Sequence, residues 1–344
     1  MDDFDTLIKD EDLRRQLEKL RGCPGFITVA NNLVTTQKER DHERQLTPVK
    51  RRRLQARKLV KEKKPETEDR HHIHSVLALC GLPYRRPPDD MPDFLREYGR
   101  NSLVIQSGYL KDPLTGKMQK QGLPYGPKAR LLLLHICTMA MRQQSPEIEI
   151  ADSMSAFIRE LGFAVTGGKR GTIIQFKEQL NRLAASHMQI GLWHGDKTST
   201  LHAQPIEAFD IWLPQSPDQK TLWSSTLKLD QKFYESLKRH ALPIDMQVLK
   251  AFSQSARQID MVLWLAYRLR NLPRVYKISW SALQEQFGAN VTSPRKFKQS
   301  FAEDIKIVME VFQALPVKVI TPQFLFQFQS SKFISISSVD PLPL

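Results

Sequence analysis

The chain has 344 residues, 41% of them hydrophobic, enough for two domains with buried cores and too apolar for a wholly disordered chain. Lys and Arg outnumber Asp and Glu by 51 to 37, and the resulting net charge of +14 attracts polyanions, because each cation near a phosphate releases condensed counterions. Cys23, Cys80 and Cys137 lie too far apart for a zinc knuckle or a disulfide framework, the acidic Met1–Asp5 start is unlike a signal or transit peptide, and the longest apolar runs fall far short of a membrane span, so a cytoplasmic protein with no membrane partner is expected.

Residues 2–20 place Phe4, Leu7, Ile8, Leu13, Leu17 and Leu20 among charges at mixed helical spacings, the pattern of a short amphipathic helix with an irregular apolar stripe. From Lys38 to Arg70 the chain is almost all polar, with Lys50-Arg51-Arg52-Arg53 and a second basic group at Lys61, Lys63 and Lys64. So little apolar surface cannot offset the entropy of ordering, and residues 1–70 are expected to form a mobile basic arm. Order is expected to begin near His74. Leu103–Ile105 and Gly108–Leu110 flank turn chemistry at Asp112-Pro113 and Thr115-Gly116, which predicts a hairpin. After the helix-initiating Pro127, Ala129–Met141 is dense in Leu, Met and Ala and reads as a buried helix.

Glu147–Ile150 alternates like a short strand, and a short helix capped by Asp152 or Ser153 follows, ending at Gly162. Thr166–Gly171 is a tight, basic, glycine-rich turn. It opens a second helix with Ile173, Phe176, Leu180, Leu183, Ala184 and His187 on one face. Strands are predicted over Met188–Trp193, Glu207–Leu213 and Leu222–Leu229. This is the order of a winged helix-turn-helix, and it appears twice. In the second copy Ala256–Leu269 is a helix, Lys277–Trp280 a strand, Ala282–Phe287 a helix and Pro294–Phe312 a longer helix. Val317–Ile320, Phe324–Phe328 and Phe333–Ile336 follow as strands, with Gln329–Lys332 as a small wing. The expected fold is therefore α+β, with tandem winged-helix domains over 71–235 and 236–344.

A helix-turn-helix reads DNA with the outward face and N-terminal residues of its second helix. In the first domain the helical wheel turns Gln175, Glu178 and Arg182 outward, with Thr172 and Gln179 flanking, and Gln and Arg pair bidentately with adenine and guanine. Lys169 and Arg170 sit in the glycine turn, where backbone amides and the helix dipole favour a phosphate. In the second domain the outward positions are Lys296, Gln299, Ser300 and Glu303, flanked by Arg295, with Lys298 nearer the core side. Three cations at a helix N-terminus oppose its dipole, a conflict that a bound anion relieves. Double-stranded DNA is the expected partner, with no cofactor, metal or catalytic residue.

Two stretches evoke enzyme motifs. Gly162–Lys169 evokes a phosphate-binding loop, but Gly168 stands where the lysine is needed and Arg170 replaces the magnesium-holding Ser or Thr. His72-Ile73-His74 would put two imidazoles on one face of a strand, as in metal-dependent nicking with Tyr84 or Tyr98 as nucleophile. The preceding charged arm and the absence of a carboxylate-rich companion motif argue against it.

Leu123-Pro124-Tyr125-Gly126 followed by Lys128–Leu133, then Ser155–Phe163, then Gly167–Thr172, resembles the RepA_C-type plasmid replication initiators, mainly over residues 80–235. The resemblance implies binding to repeated origin sites (iterons), melting of adjacent AT-rich DNA, and recruitment of the host initiator and replicative helicase. It also implies a homodimer that represses its own promoter and a monomer that binds the origin. The rival reading is a plasmid-borne transcriptional repressor that never initiates replication.

Overall fold

The computed structural model describes residues 4–62, 70–112, 115–149, 154–168, 171–193, 195–209, 226–270, 278–289, 291–313, 317–319 and 326–328. Three helices open the chain: α1 (Phe4–Leu7), α2 (Glu11–Leu20) and α3 (Phe26–Gln45). They bury a core of their own, Ile8, Leu13 and Leu17 against Ala30, Leu33 and Val34, with Phe4 and Phe26 edge to face. The polar half of α3 is held by ions rather than apolar area. Arg40 and Arg44 both donate to Asp10, and Arg40 forks onto Asp12. These guanidiniums hold the Asp10 carboxyl down to about 2. The buried Gln37 accepts from the amides of Lys9 and Asp10 at 3.0 and 2.9 Å.

The basic stretch after α3 is helix α4 (Pro48–Glu62), so the mobile arm expected over residues 1–70 is instead largely helical. Residues 63–69 lie outside the described residues. The arm was expected because its own apolar content is low. What orders it comes from elsewhere in the chain. Ala56 is buried, and Arg52 donates to the carbonyl of Gly162 at 2.7 Å and to Ser253 Oγ at 3.0 Å. Arg51 donates back to the carbonyls of Glu43, Arg44 and Leu46, closing the C-terminal end of α3.

Next come β1 (Arg70–His74), α5 (Ser75–Cys80) and the hairpin β2 (Asp93–Tyr98)–β3 (Asn101–Gln106). The short ribbon β4 (Tyr109–Lys111)–β5 (Met118–Lys120) then closes at the turn predicted around Asp112–Gly116. Helix α6 (Gly126–Gln143) is buried along most of its length, as its Leu-rich run demands. The order β6 (Glu147–Glu149), α7 (Met154–Glu160), α8 (Thr172–Ala185), β7 (His187–Trp193) follows as read from the sequence, but the next strand, β8 (Thr198–Ala203), forms ahead of the one expected at Glu207–Leu213. The capping residues assigned to α7, Asp152 and Ser153, lie outside the described residues.

The strand pairing has its own plan. β7 and β8 join the first hairpin in an antiparallel sheet ordered β2-β3-β7-β8. β6 pairs instead with β10 (Thr226–Lys228), which also pairs with β9 (Ala208–Phe209). The hairpin after α8 therefore does not close onto β6.

The boundary expected between residues 235 and 236 falls inside helix α9 (Gln231–His240). After it, β11 (Ala241–Asp245) pairs antiparallel with β1, tying the end of the chain's first half to its beginning. α10 (Met246–Lys250) and α11 (Ala256–Arg270) follow, and α4 packs against α10. One apolar cluster runs from Ala56 through Leu131, Leu183 and Leu263 to Val311, across both halves.

The strand predicted at Lys277–Trp280 is not formed over its described part. Ser279 caps α12 (Trp280–Phe287) by accepting from the Ala282 amide, and Trp280 is already helical. α13 (Pro294–Val311) buries Phe297, Phe301, Ile305 and Val308 and packs against α11, α12 and α4. β12 (Val317–Val319) and β13 (Phe326–Phe328) pair as a hairpin. The strand and wing expected over 329–336 lie outside the described residues. Among the described residues no helix is long and apolar enough to cross a membrane.

Candidate nucleic-acid interface

The turn before α8 is built to be tight. Gly168 has φ +80°, and a Cβ on Gly171 would stand 2.3 Å from the Thr166 carbonyl and 2.4 Å from that of Gly167. Thr166 and Thr172 bracket it reciprocally: the Thr172 amide donates to Thr166 Oγ1 and the Thr166 amide to Thr172 Oγ1, both at 2.9 Å. The Thr172 hydroxyl donates in turn to the Ala164 carbonyl. Thr172 is thus a clasp for the turn. Lys169 and Arg170, the expected phosphate ligands, lie outside the described residues.

Along α8 the core stripe is Phe176, Leu180 and Leu183, as expected, but two proposed base readers are not on the surface. Gln179 is 3% exposed, and its carbonyl oxygen accepts from the Tyr125 amide at the start of α6. Arg182 is 4% exposed. It donates to the Leu123 carbonyl, Asp89 and Glu178, and its guanidinium lies 5.2 Å from the Tyr125 ring. The physical reason is tertiary: the 121–125 segment lies across the flank of the helix that a wheel leaves open. Gly122 makes room for it, since a Cβ there would stand 2.3 Å from Arg182 Nη1. Gln175 is half-buried. The outward stripe is Ile174, Lys177, Glu178 and Asn181, with Ile174 47% exposed. A hydrophobic wheel centred on the core misses this rotation because it cannot see which flank another segment covers.

The second candidate helix keeps more of its expected surface. Ser293 caps α13, its Oγ accepting from the Lys296 amide, and Pro294 follows at the first helical position. Arg295 and Lys296 are exposed, and among the described residues neither has an ion-pair partner. Lys298 folds back, its ammonium 5.9 Å from the Trp280 ring centre. Gln299 is exposed and reaches Glu303 at 3.4 Å. Ser300 is held inward: it accepts from Arg257 Nη1 at 3.2 Å and donates to the Phe297 carbonyl, while Arg257 also pairs with Asp304. Ser300 is therefore a link between α13 and α11, not an outward donor.

His74 and the tyrosines of the nicking reading are committed elsewhere. β1 is a strand, but both nitrogens of the buried His74 ring are engaged, Nδ1 by the Val76 amide and Nε2 by Ser236 Oγ at 3.0 Å. The Tyr84 hydroxyl is enclosed, its ring lies between the guanidiniums of Arg96 and Arg130, and burial pushes its pKa up. Tyr98 accepts from Trp264 Nε1 and pairs with Arg268.

Two crystal structures of domains 2 and 3 of RctB are similar to the chain, each at 10% identity. One has a TM-score of 0.47 and covers 76% of this chain and 100% of that one; the other has 0.49 and covers 74% and 96%. No curated protein matches. Residues 123–282, from the approach to α6 into α12, match the RepA_C family, described as plasmid encoded RepA protein, and so bear out over that segment the resemblance carried by Leu123–Gly126, Ser155–Phe163 and Gly167–Thr172.

Proposed function

We propose that the chain is a DNA-binding plasmid replication initiator that acts by binding and deforming duplex DNA, without catalysis. The RepA_C segment supports the plasmid setting and the net charge of +14 supports a polyanionic partner. The observation that carries the reading is the N-terminus of α13. Arg295 and Lys296 stand exposed and without an ion pair among the described residues, at the end of a long helix where the dipole already disfavours cations. A protein keeps such an arrangement where a phosphate will neutralise it.

In this reading α8 and α13 act as recognition helices of winged-helix-like units, at origin repeats (iterons). Several bound copies strain the duplex and lower the cost of opening an AT-rich tract. The host initiator and replicative helicase are the partners recruited, and a homodimer represses the chain's own gene. Gln179 and Arg182 drop out as base readers because they are buried. Thr172 shapes the turn, Gln175 and Gln299 remain as base readers, and Lys169, Arg170, Arg295, Lys296 and Lys298 are the phosphate ligands.

The test is Arg295→Ala with Lys296→Ala in the full chain, titrated onto duplex DNA across a salt series. Each lost phosphate contact flattens the slope of log affinity against log salt by about 0.9. Two contacts therefore remove about 1.8, and an unchanged affinity and slope would refute the assignment. Plasmid maintenance with the protein supplied in trans separates an initiator from a repressor that binds the same DNA.

A further inference from the structure

The β4–β5 ribbon is a feature that no reading-helix argument uses. Its register pairs Tyr109 with Lys120 and Lys111 with Met118. Alternation along each strand puts those four side chains on one face, and Leu110 and Gln119 on the other. Leu110 packs against the main apolar cluster, so the four-residue face is turned outward. Tyr109 is 58% and Met118 64% exposed, and both lysines are exposed. Among the described residues Lys111, Lys117 and Lys120 have no ion-pair partner, and the outward face carries no carboxylate.

Its position is set by a close approach. Gly108, at the base of the ribbon, lies against the last turn of α8, where a Cβ would stand 2.1 Å from the Ala185 carbonyl oxygen. Ala185 follows Ile174, Glu178 and Asn181 along one helical stripe, at steps of four, three and four residues. It is nevertheless only 2% exposed, at the end of α8 that the ribbon's base abuts. The ribbon's base therefore abuts the C-terminal end of α8, a helix roughly 20 Å long. A duplex laid along that stripe meets the ribbon next.

We propose that the outward face of this ribbon, Tyr109, Lys111, Met118 and Lys120, is a duplex-DNA contact that grips the phosphate backbone beside the groove occupied by α8. This rests on the reading of α8 as a DNA-facing helix. The lysines supply the phosphate contacts, and Tyr109 and Met118 supply apolar area for the sugar edges.

The experiment uses the full chain and a 60-base-pair duplex of randomised sequence, with anisotropy read across a salt series. Lys111→Ala with Lys120→Ala should flatten the salt slope by about 1.8 and leave the thermal unfolding midpoint in place, whereas Lys111→Arg with Lys120→Arg should keep the slope. The same titration with Arg295→Ala and Lys296→Ala distinguishes the two claims. If that variant loses slope while the Lys111 and Lys120 variant does not, the ribbon assignment is wrong and the initiator reading stands. If the unmodified protein does not bind the duplex, both fall.

Discussion

Arg130 on α6 and Asp260 on α11 form a buried pair that joins the two halves of the chain. Their side chains are 3% and 7% exposed, with Arg130 Nε 2.6 Å from Asp260 Oδ1 and Nη2 2.8 Å from Oδ2. The same guanidinium donates to the carbonyls of Leu82, Pro83 and Gly126. Asp260→Ala leaves a cation out of water with neutral acceptors only, and removing one partner of such a pair costs roughly 3–5 kcal/mol. Arg130→Met strands the carboxylate and the Leu82 carbonyl, each orphaned acceptor adding about 1–3 kcal/mol, less whatever protonation of Asp260 recovers, while the Pro83 carbonyl keeps the Gly126 amide. In Arg130→Met with Asp260→Leu the stranded charge is gone, so the double variant should lose much less than the sum of the single ones. Urea unfolding should be followed both by the fluorescence of the tryptophans and by far-ultraviolet circular dichroism. The two signals should move to lower midpoint together, because the pair belongs to one core. A loss under about 1 kcal/mol for Asp260→Ala, the worth of an exposed ion pair, would refute this account of how the halves are held.

Acid should weaken the same seam. Burial, aided by His240, holds His74 down to about 3, and burial, aided by His71 and Arg142, does the same for His135. Both rings are neutral when folded, so the unfolded chain binds more protons between pH 6.5 and about 3, and stability falls as pH falls through that window. Each ring should remove on the order of 2 kcal/mol between pH 6.5 and 5. His135→Leu should flatten the pH dependence of the urea midpoint, and an unaltered profile would show that His135 titrates normally. Arg182→Ala should lower the unfolding midpoint, since it leaves the Leu123 carbonyl without its donor, while leaving the salt slope of DNA binding intact; a change confined to the slope would restore Arg182 to the interface.

Much of the chain's local order was legible in its residues. The Leu-rich run of α6, the core stripe Phe176-Leu180-Leu183 and the Ser-Pro entry to α13 each rest on short-range chemistry: periodicity, propensity and capping. The cationic start of α13 was visible for the same reason, since a helix dipole acts within one turn. The charged helices α3 and α4 escaped notice because what orders them is remote: Arg40 and Arg44 on α3 meet Asp10 about thirty residues earlier, and Arg52 meets Gly162 and Ser253. Strand partners escaped for a related reason. An alternating run says that a strand will form, not whether β7 lies beside β3 or β6, because that choice is made by which apolar faces the assembled helices leave open.

The residues alone thus determined the helical runs of α6, α8 and α13, the apolar stripe that α8 and α13 turn inward, and that the molecule is a cation overall. Tertiary structure alone decided that Gln179 and Arg182 are enclosed while Lys111 and Lys120 stand free. Both pairs are polar and sit in amphipathic segments. What separates them is whether a distant stretch of chain, here the one through Gly122, lies across that flank and takes it out of water.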